Sequence, residues 1–102
     1  MALKFRIAEE NSGLLIYLSG DLTFADDESF REIISSLAGK TGSRAIVDLG
    51  GLTYIDSAGL GLFLVLKEAV EEVNKKLSIR QAKGQVKEML EIAEFSSMIP
   101  FE

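Results

Sequence analysis

Stretches whose apolar residues recur at every second position alternate along this chain with stretches whose apolar residues recur at helical spacing. Leu3, Phe5 and Ile7 alternate with polar or small residues, the pattern of an edge strand. Asn11-Ser12-Gly13 is a turn signal. Leu14–Leu18 follows, apolar on both faces and so central, and the two strands read as a hairpin. Gly20-Asp21-Leu22-Thr23 breaks the second strand, and a helix starts near Phe24 or Ala25. Asp26, Asp27 and Glu28 occupy its first turn, where negative charge suits the helix dipole. Phe30, Ile33, Ile34 and Leu37 fall at i, i+3, i+4 and i+7, one buried face, with Gly39 as the stop.

Ala45–Leu49 reads as a short buried strand that Gly50-Gly51 interrupts, and Leu52–Ile55 carries the chain on to Asp56-Ser57. A long helix then runs to about Lys75. Leu77–Arg80 is an alternating strand, and a last helix spans about Gly84 to Ala93 with Val86, Leu90 and Ala93 on one face. Met98–Phe101 reads as a final edge strand, where a proline is tolerated. The order is ββαβαβαβ. It predicts an α/β fold, residues 1–102 as one domain, with a mixed sheet, right-handed crossovers and helices mainly on one face.

Charge and residue usage narrow the chemistry. The 102 residues carry a net charge of −5, with scattered lysines and arginines, so neither nucleic acid nor an anionic membrane is an expected partner. There is no cysteine and no histidine. Disulfides, thiolate nucleophiles, Cys/His zinc sites and Ser-His-Asp catalysis are thereby excluded. No signal pattern opens the chain, and its longest apolar run is too short to span a bilayer, so a cytoplasmic protein is expected. No cofactor, metal or catalytic role is expected.

The helix after Ile55 is unusual at its start. Gly59 and Gly61 each cost a helix about 1 kcal/mol relative to alanine, so packing or backbone access must want them. Ser57, ahead of the apolar run, reads as an N-cap, and the free N–H groups there favour an anion such as a phosphate. On a wheel of 100° per residue with Leu62 at zero, Leu66, Ala69 and Val73 fall within about 40° and define the expected core face. Val65 and Val70 flank it. Leu60 and Leu64 fall at about 160° and 200°, facing water beside Ser57. They read either as a partner-binding patch or as residues covered by a loop or a neighbouring helix. The glycines read either as clearance for a partner at the Ser57 hydroxyl or, for Gly59, as close packing on the sheet.

Ile55-Asp56-Ser57-Ala58-Gly59-Leu60-Gly61 resembles the phosphorylation motif of the anti-sigma factor antagonists, Asp-Ser-(Ser/Thr/Ala)-Gly-Leu-Gly, in the STAS fold. In that family the motif follows an apolar-Asp-Leu strand end, here Ile46–Leu49. Gly20-Asp21-Leu22 resembles the segment after the family's second strand, and Thr23 stands where the family often has aspartate. The resemblance covers nearly the whole chain and implies a STAS-like mixed sheet. It implies that Ser57 is phosphorylated by a cognate anti-sigma factor with serine kinase activity. The unphosphorylated form would bind that factor and free a sigma factor, and a metal-dependent serine phosphatase would reset the switch. The implied partner surface comprises Asp21, Thr23, Asp56, Ser57, Ala58, Gly59, Leu60, Gly61 and Leu64.

Three other readings compete. A phospho-aspartate receiver built on Asp48 lacks its acidic pair and its lysine. A metal or small-molecule site would need Asp21, Asp48 and Asp56 to gather at one end of the sheet. The third keeps the fold and docks the same helix end into a lipid-transport ATPase or a stress-signalling assembly.

Overall fold

The alternating segments settle into one mixed sheet. The computed structural model describes residues 2–10, 13–37 and 42–102. The strands are β1 (Lys4–Glu10), β2 (Gly13–Leu22), β3 (Arg44–Ile55) and β4 (Lys76–Arg80), side by side in that order. β1 pairs antiparallel with β2 as the expected hairpin, while β2–β3 and β3–β4 are parallel. The helices are α1 (Asp27–Ser35), α2 (Ser57–Glu72) and α3 (Gly84–Ile92), with 3-10 turns at Phe24–Asp26 and Phe95–Ser97. Asn11, Ser12 and the Gly39 stop lie outside the described residues.

Leu14, Ile16 and Leu18 of β2, Ala45 and Val47 of β3, and Leu77 and Ile79 of β4 point to one side of the sheet. Phe30 and Ile33 of α1, Phe63, Leu66 and Val70 of α2, and Val86 and Leu90 of α3 meet them there in a single core. Phe63 is its hub. Its ring lies edge-on to Phe30 (centroids 6.0 Å, planes at 83°) and to Phe95 (6.4 Å, 77°), a favoured aromatic geometry. The opposite side of the sheet carries a row with one residue per strand, Arg6, Tyr17, Asp48 and Arg80.

Three expectations are corrected. Gly20-Asp21-Leu22 does not break the second strand, because β2 stays paired with β3 as far as Leu22. Gly50 and Gly51 do not interrupt a strand. β3 runs unbroken to Ile55 and absorbs its extra length as irregularities against β2. From Tyr17 to Ser19 the partner advances from Asp48 to Gly51, and from Gly20 to Asp21 it advances from Leu52 to Tyr54. Each step puts one surplus residue in β3.

The final edge strand does not form, so the order is ββαβαβα. Pro100 has no N–H to give a ladder. Instead a single bridge joins Phe101 to Ile79. The Ile79 N–H donates to the Pro100 carbonyl at 2.9 Å, and the Glu102 N–H donates to the Ile79 carbonyl at 2.7 Å.

Candidate functional site

β3 outruns β4, which pairs only with Arg44–Asp48, and so its end needs other support. Leu22 of β2 faces Ile55 on one side, and its carbonyl accepts the Asp56 N–H at 3.2 Å. On the other side stands Gln85, in the first turn of α3. Its Oε1 accepts the Ile55 N–H at 2.9 Å, and its Nε2 donates to the Ile55 carbonyl at 2.8 Å. The residue before Asp56-Ser57 is thus held on both sides.

The cap of α2 is Asp56, which corrects the expectation for Ser57. Asp56 has extended backbone, and its Oδ1 accepts the Gly59 N–H at 2.8 Å. Asp and Ser are both good caps, so adjacent in sequence they are ambiguous; the turn geometry assigns the role to the first. Ser57 is therefore the first helical residue. It is exposed, and its hydroxyl has no hydrogen-bond partner among the described residues.

The two glycines differ. Gly59 is buried, and a Cβ there would lie 2.6 Å from the Leu22 carbonyl oxygen and 2.8 Å from Ile55 Cγ1. It lets α2 sit on the strand ends and cannot itself touch a partner. Gly61 is exposed, with nothing within 4 Å of a Cβ built on it.

The buried stripe of α2 is Gly59, Phe63, Leu66 and Val70. It is turned by about 70° from the expected line through Leu62, which leaves Leu62 half-buried and Val73 exposed. Leu60 is also corrected: it is half-buried against the core, while Leu64 is exposed at 37%.

Asp21 accepts from the Thr53 hydroxyl at 3.3 Å. Thr23 caps the first 3-10 turn in a reciprocal box with Asp26. The Ala25 N–H donates to Thr23 Oγ1 at 3.3 Å, and the Thr23 N–H donates to Asp26 Oδ2 at 2.8 Å.

The three aspartates do not gather. Asp56 caps α2, Asp21 meets Thr53, and Asp48 binds the Gly50 N–H and Arg80 Nε, each at 2.8 Å. Among the described residues no cluster of acidic side chains could hold a metal, and no helix is long and apolar enough to cross a membrane.

A family model described as "Mlab, STAS domain" matches residues 5–100. The chain belongs to the STAS domain family. Across 98 residues this STAS domain is 30% identical to BtrV of Bordetella bronchiseptica, named as an anti-sigma factor antagonist; the match covers 96% of the chain and 84% of BtrV. It is 29% identical over 98 residues to a STAS-domain containing protein of Pseudomonas aeruginosa, covering 96% of each. Its fold is that of the anti-sigma factor antagonist SpoIIAA. The unphosphorylated form superposes with a TM-score of 0.71 at 22% identity, covering 97% of this chain and 87% of SpoIIAA. The phosphorylated form from Bacillus gives 0.69 at 20%, covering 97% and 91%.

One residue of this STAS domain's surface escaped the sequence reading. Phe24, in the turn beside the start of α2, is 78% exposed. Its signal was present: Asp27 and Glu28 at i+3 and i+4 leave it no apolar partner on the buried side of the following helix.

Proposed function

We propose that this STAS domain is an anti-sigma factor antagonist switched by phosphorylation of Ser57. The observation that carries the reading is the division of labour at the start of α2. Asp56 takes the cap, so the neighbouring hydroxyl is exposed, without a hydrogen-bond partner among the described residues and mounted on a supported strand end.

In the unphosphorylated state Asp21, Thr23, Asp56, Ser57, Ala58, Leu60, Gly61 and Leu64 form the surface for the anti-sigma factor, and Phe24 extends it. The same factor, acting as a serine kinase, passes the γ-phosphoryl group of ATP to Ser57 Oγ, with loss of the hydroxyl proton and release of ADP. A metal-dependent serine phosphatase reverses the step by hydrolysis.

Beyond the remaining N–H groups of the first turn, the fold offers the added group little compensation. The Gly59 N–H already serves Asp56, whose carboxylate lies one residue from the new phosphate. A group of about −1.5 to −2 charges would stand at the centre of an interface that must be dried to form, and its desolvation without a cationic partner opposes binding.

The test is intact mass after incubation with ATP and a candidate anti-sigma kinase, beside binding measurements. The wild type should gain one phosphate and Ser57→Ala none. Ser57→Asp should stay folded and lose binding, while Ser57→Ala keeps it. An active kinase that adds no mass overturns the switch and leaves a docking subunit of a transport or stress assembly as the reading.

A further inference from the structure

We infer that the open side of the sheet, away from the helices and from Ser57, holds a binding groove for a small oxyanion, a carboxylate or phosphate monoester. The groove has a volume of about 280 Å³, and its lining includes Lys4, Arg6, Tyr17, Ser19, Asp48 and Gly51, with Phe5 and Leu18 as its apolar part. Its origin is the first surplus residue in β3. Glycine at position 51 leaves a space next to Ser19, where a Cβ would come within 2.8 Å of Ser19 Cβ.

The ligand class follows from which polar groups are already engaged. Among the described residues Asp48 is the one carboxylate lining the groove, and both its oxygens are used, by the Gly50 N–H and by Arg80. Lys4, Ser19 and the Tyr17 hydroxyl have no hydrogen-bond or ion-pair partner among the described residues, and Arg6 has none either. The polar side chains that remain in the groove are therefore mostly donors, with two positive charges unpaired among the described residues, in a chain of net charge −5.

Lys4 and Arg6 stand two residues apart on the same side of β1, so both can address one anion. Arg6 is also pre-positioned. Its guanidinium lies 4.2 Å from the centroid of the Tyr17 ring, with Arg80 at 6.0 Å from the same ring, which steadies a fork suited to carboxylate or phosphate oxygens. The volume lies at the small end for ligand sites, which favours a compact anion over a large cofactor.

The experiment is a pair of amide chemical-shift titrations, one with succinate and one with inorganic phosphate, on wild type and on Arg6→Gln and Lys4→Gln. Both substitutions are on exposed side chains and keep the fold testable. Saturable shifts at residues 4–6, 17–19 and 51, weakened at least tenfold by either substitution, support the groove, and the tighter of the two probes names the anion. Three outcomes overturn it. One is shifts confined to the start of α2, the second is shifts that do not saturate, and the third is affinity unchanged in both variants.

Discussion

The side-chain amide of Gln85 makes with Ile55 the two hydrogen bonds that a neighbouring strand would have supplied. β4 ends seven positions earlier on β3, at the partner of Asp48, and a helix side chain finishes its work. Ile55 is fully buried, so without Gln85 both its backbone groups lose their partner away from water. Gln85→Ala should cost about 1–3 kcal/mol in urea unfolding. It should also speed hydrogen exchange at Ile55 far more than at Val47, in the middle of the sheet.

Asp56 and Ser57 should separate cleanly in stability. Asp56→Ala removes the side chain that accepts the Gly59 N–H and should cost about 1 kcal/mol. Ser57→Ala removes a hydroxyl without a described partner and should stay within about 0.5 kcal/mol of wild type. Equal losses in chemical denaturation would return the cap to Ser57.

Alanine should act in opposite directions at the two glycines. At Gly59 the new methyl runs into the Leu22 carbonyl and Ile55, so α2 must lift from the strands, at about 1–3 kcal/mol. At Gly61 the methyl meets nothing, and the gain in helix propensity should stabilise by roughly 0.4–1 kcal/mol. If Gly61 is there for access, Gly61→Ala will raise the melting temperature and weaken binding of the proposed anti-sigma partner.

Acid should loosen the bridge at Phe101. The Ser78 hydroxyl donates to Glu102, and with Arg44 nearby this holds the carboxyl below its ordinary value of 4.5. A depressed carboxyl contributes stability that is complete above the ordinary value and is lost as pH falls through the folded one. Wild type should therefore lose stability relative to Glu102→Gln as pH drops below about 4.5, and Ser78→Ala should raise the Glu102 titration midpoint seen by NMR.

Much of this was legible in the chain, and the misses have physical causes. The hairpin, the three helices and the junction at Asp56-Ser57 follow from periodicity and from residue types that serve few purposes. The core line of α2 was set on Leu62 instead of Phe63 because the helix is apolar nearly all round: Leu60, Leu62, Leu64 and Val65 surround its true stripe, and Gly59, which marks that stripe, has no hydrophobicity to count. Gly50-Gly51 read as a break because a pattern of period two cannot represent a strand that stays paired while gaining a residue. Met98–Phe101 has strand-like composition, but Pro100 limits it to one bridge.

The two surplus residues of β3 also act as a phase counter. Because of them its core-facing positions fall at Ala45, Val47, Leu49, Leu52 and Ile55 opposite alternate residues of β2. Deleting Gly50 would conserve every side chain that chemistry could name. With both irregularities kept, every later residue would slide back one place, putting Thr53 where Leu52 packs, Ile55 where Tyr54 meets water and Asp56 where Ile55 packs, and Ser57 would turn with them. The direction in which the serine is presented is thus encoded as a length, in residues that never touch it.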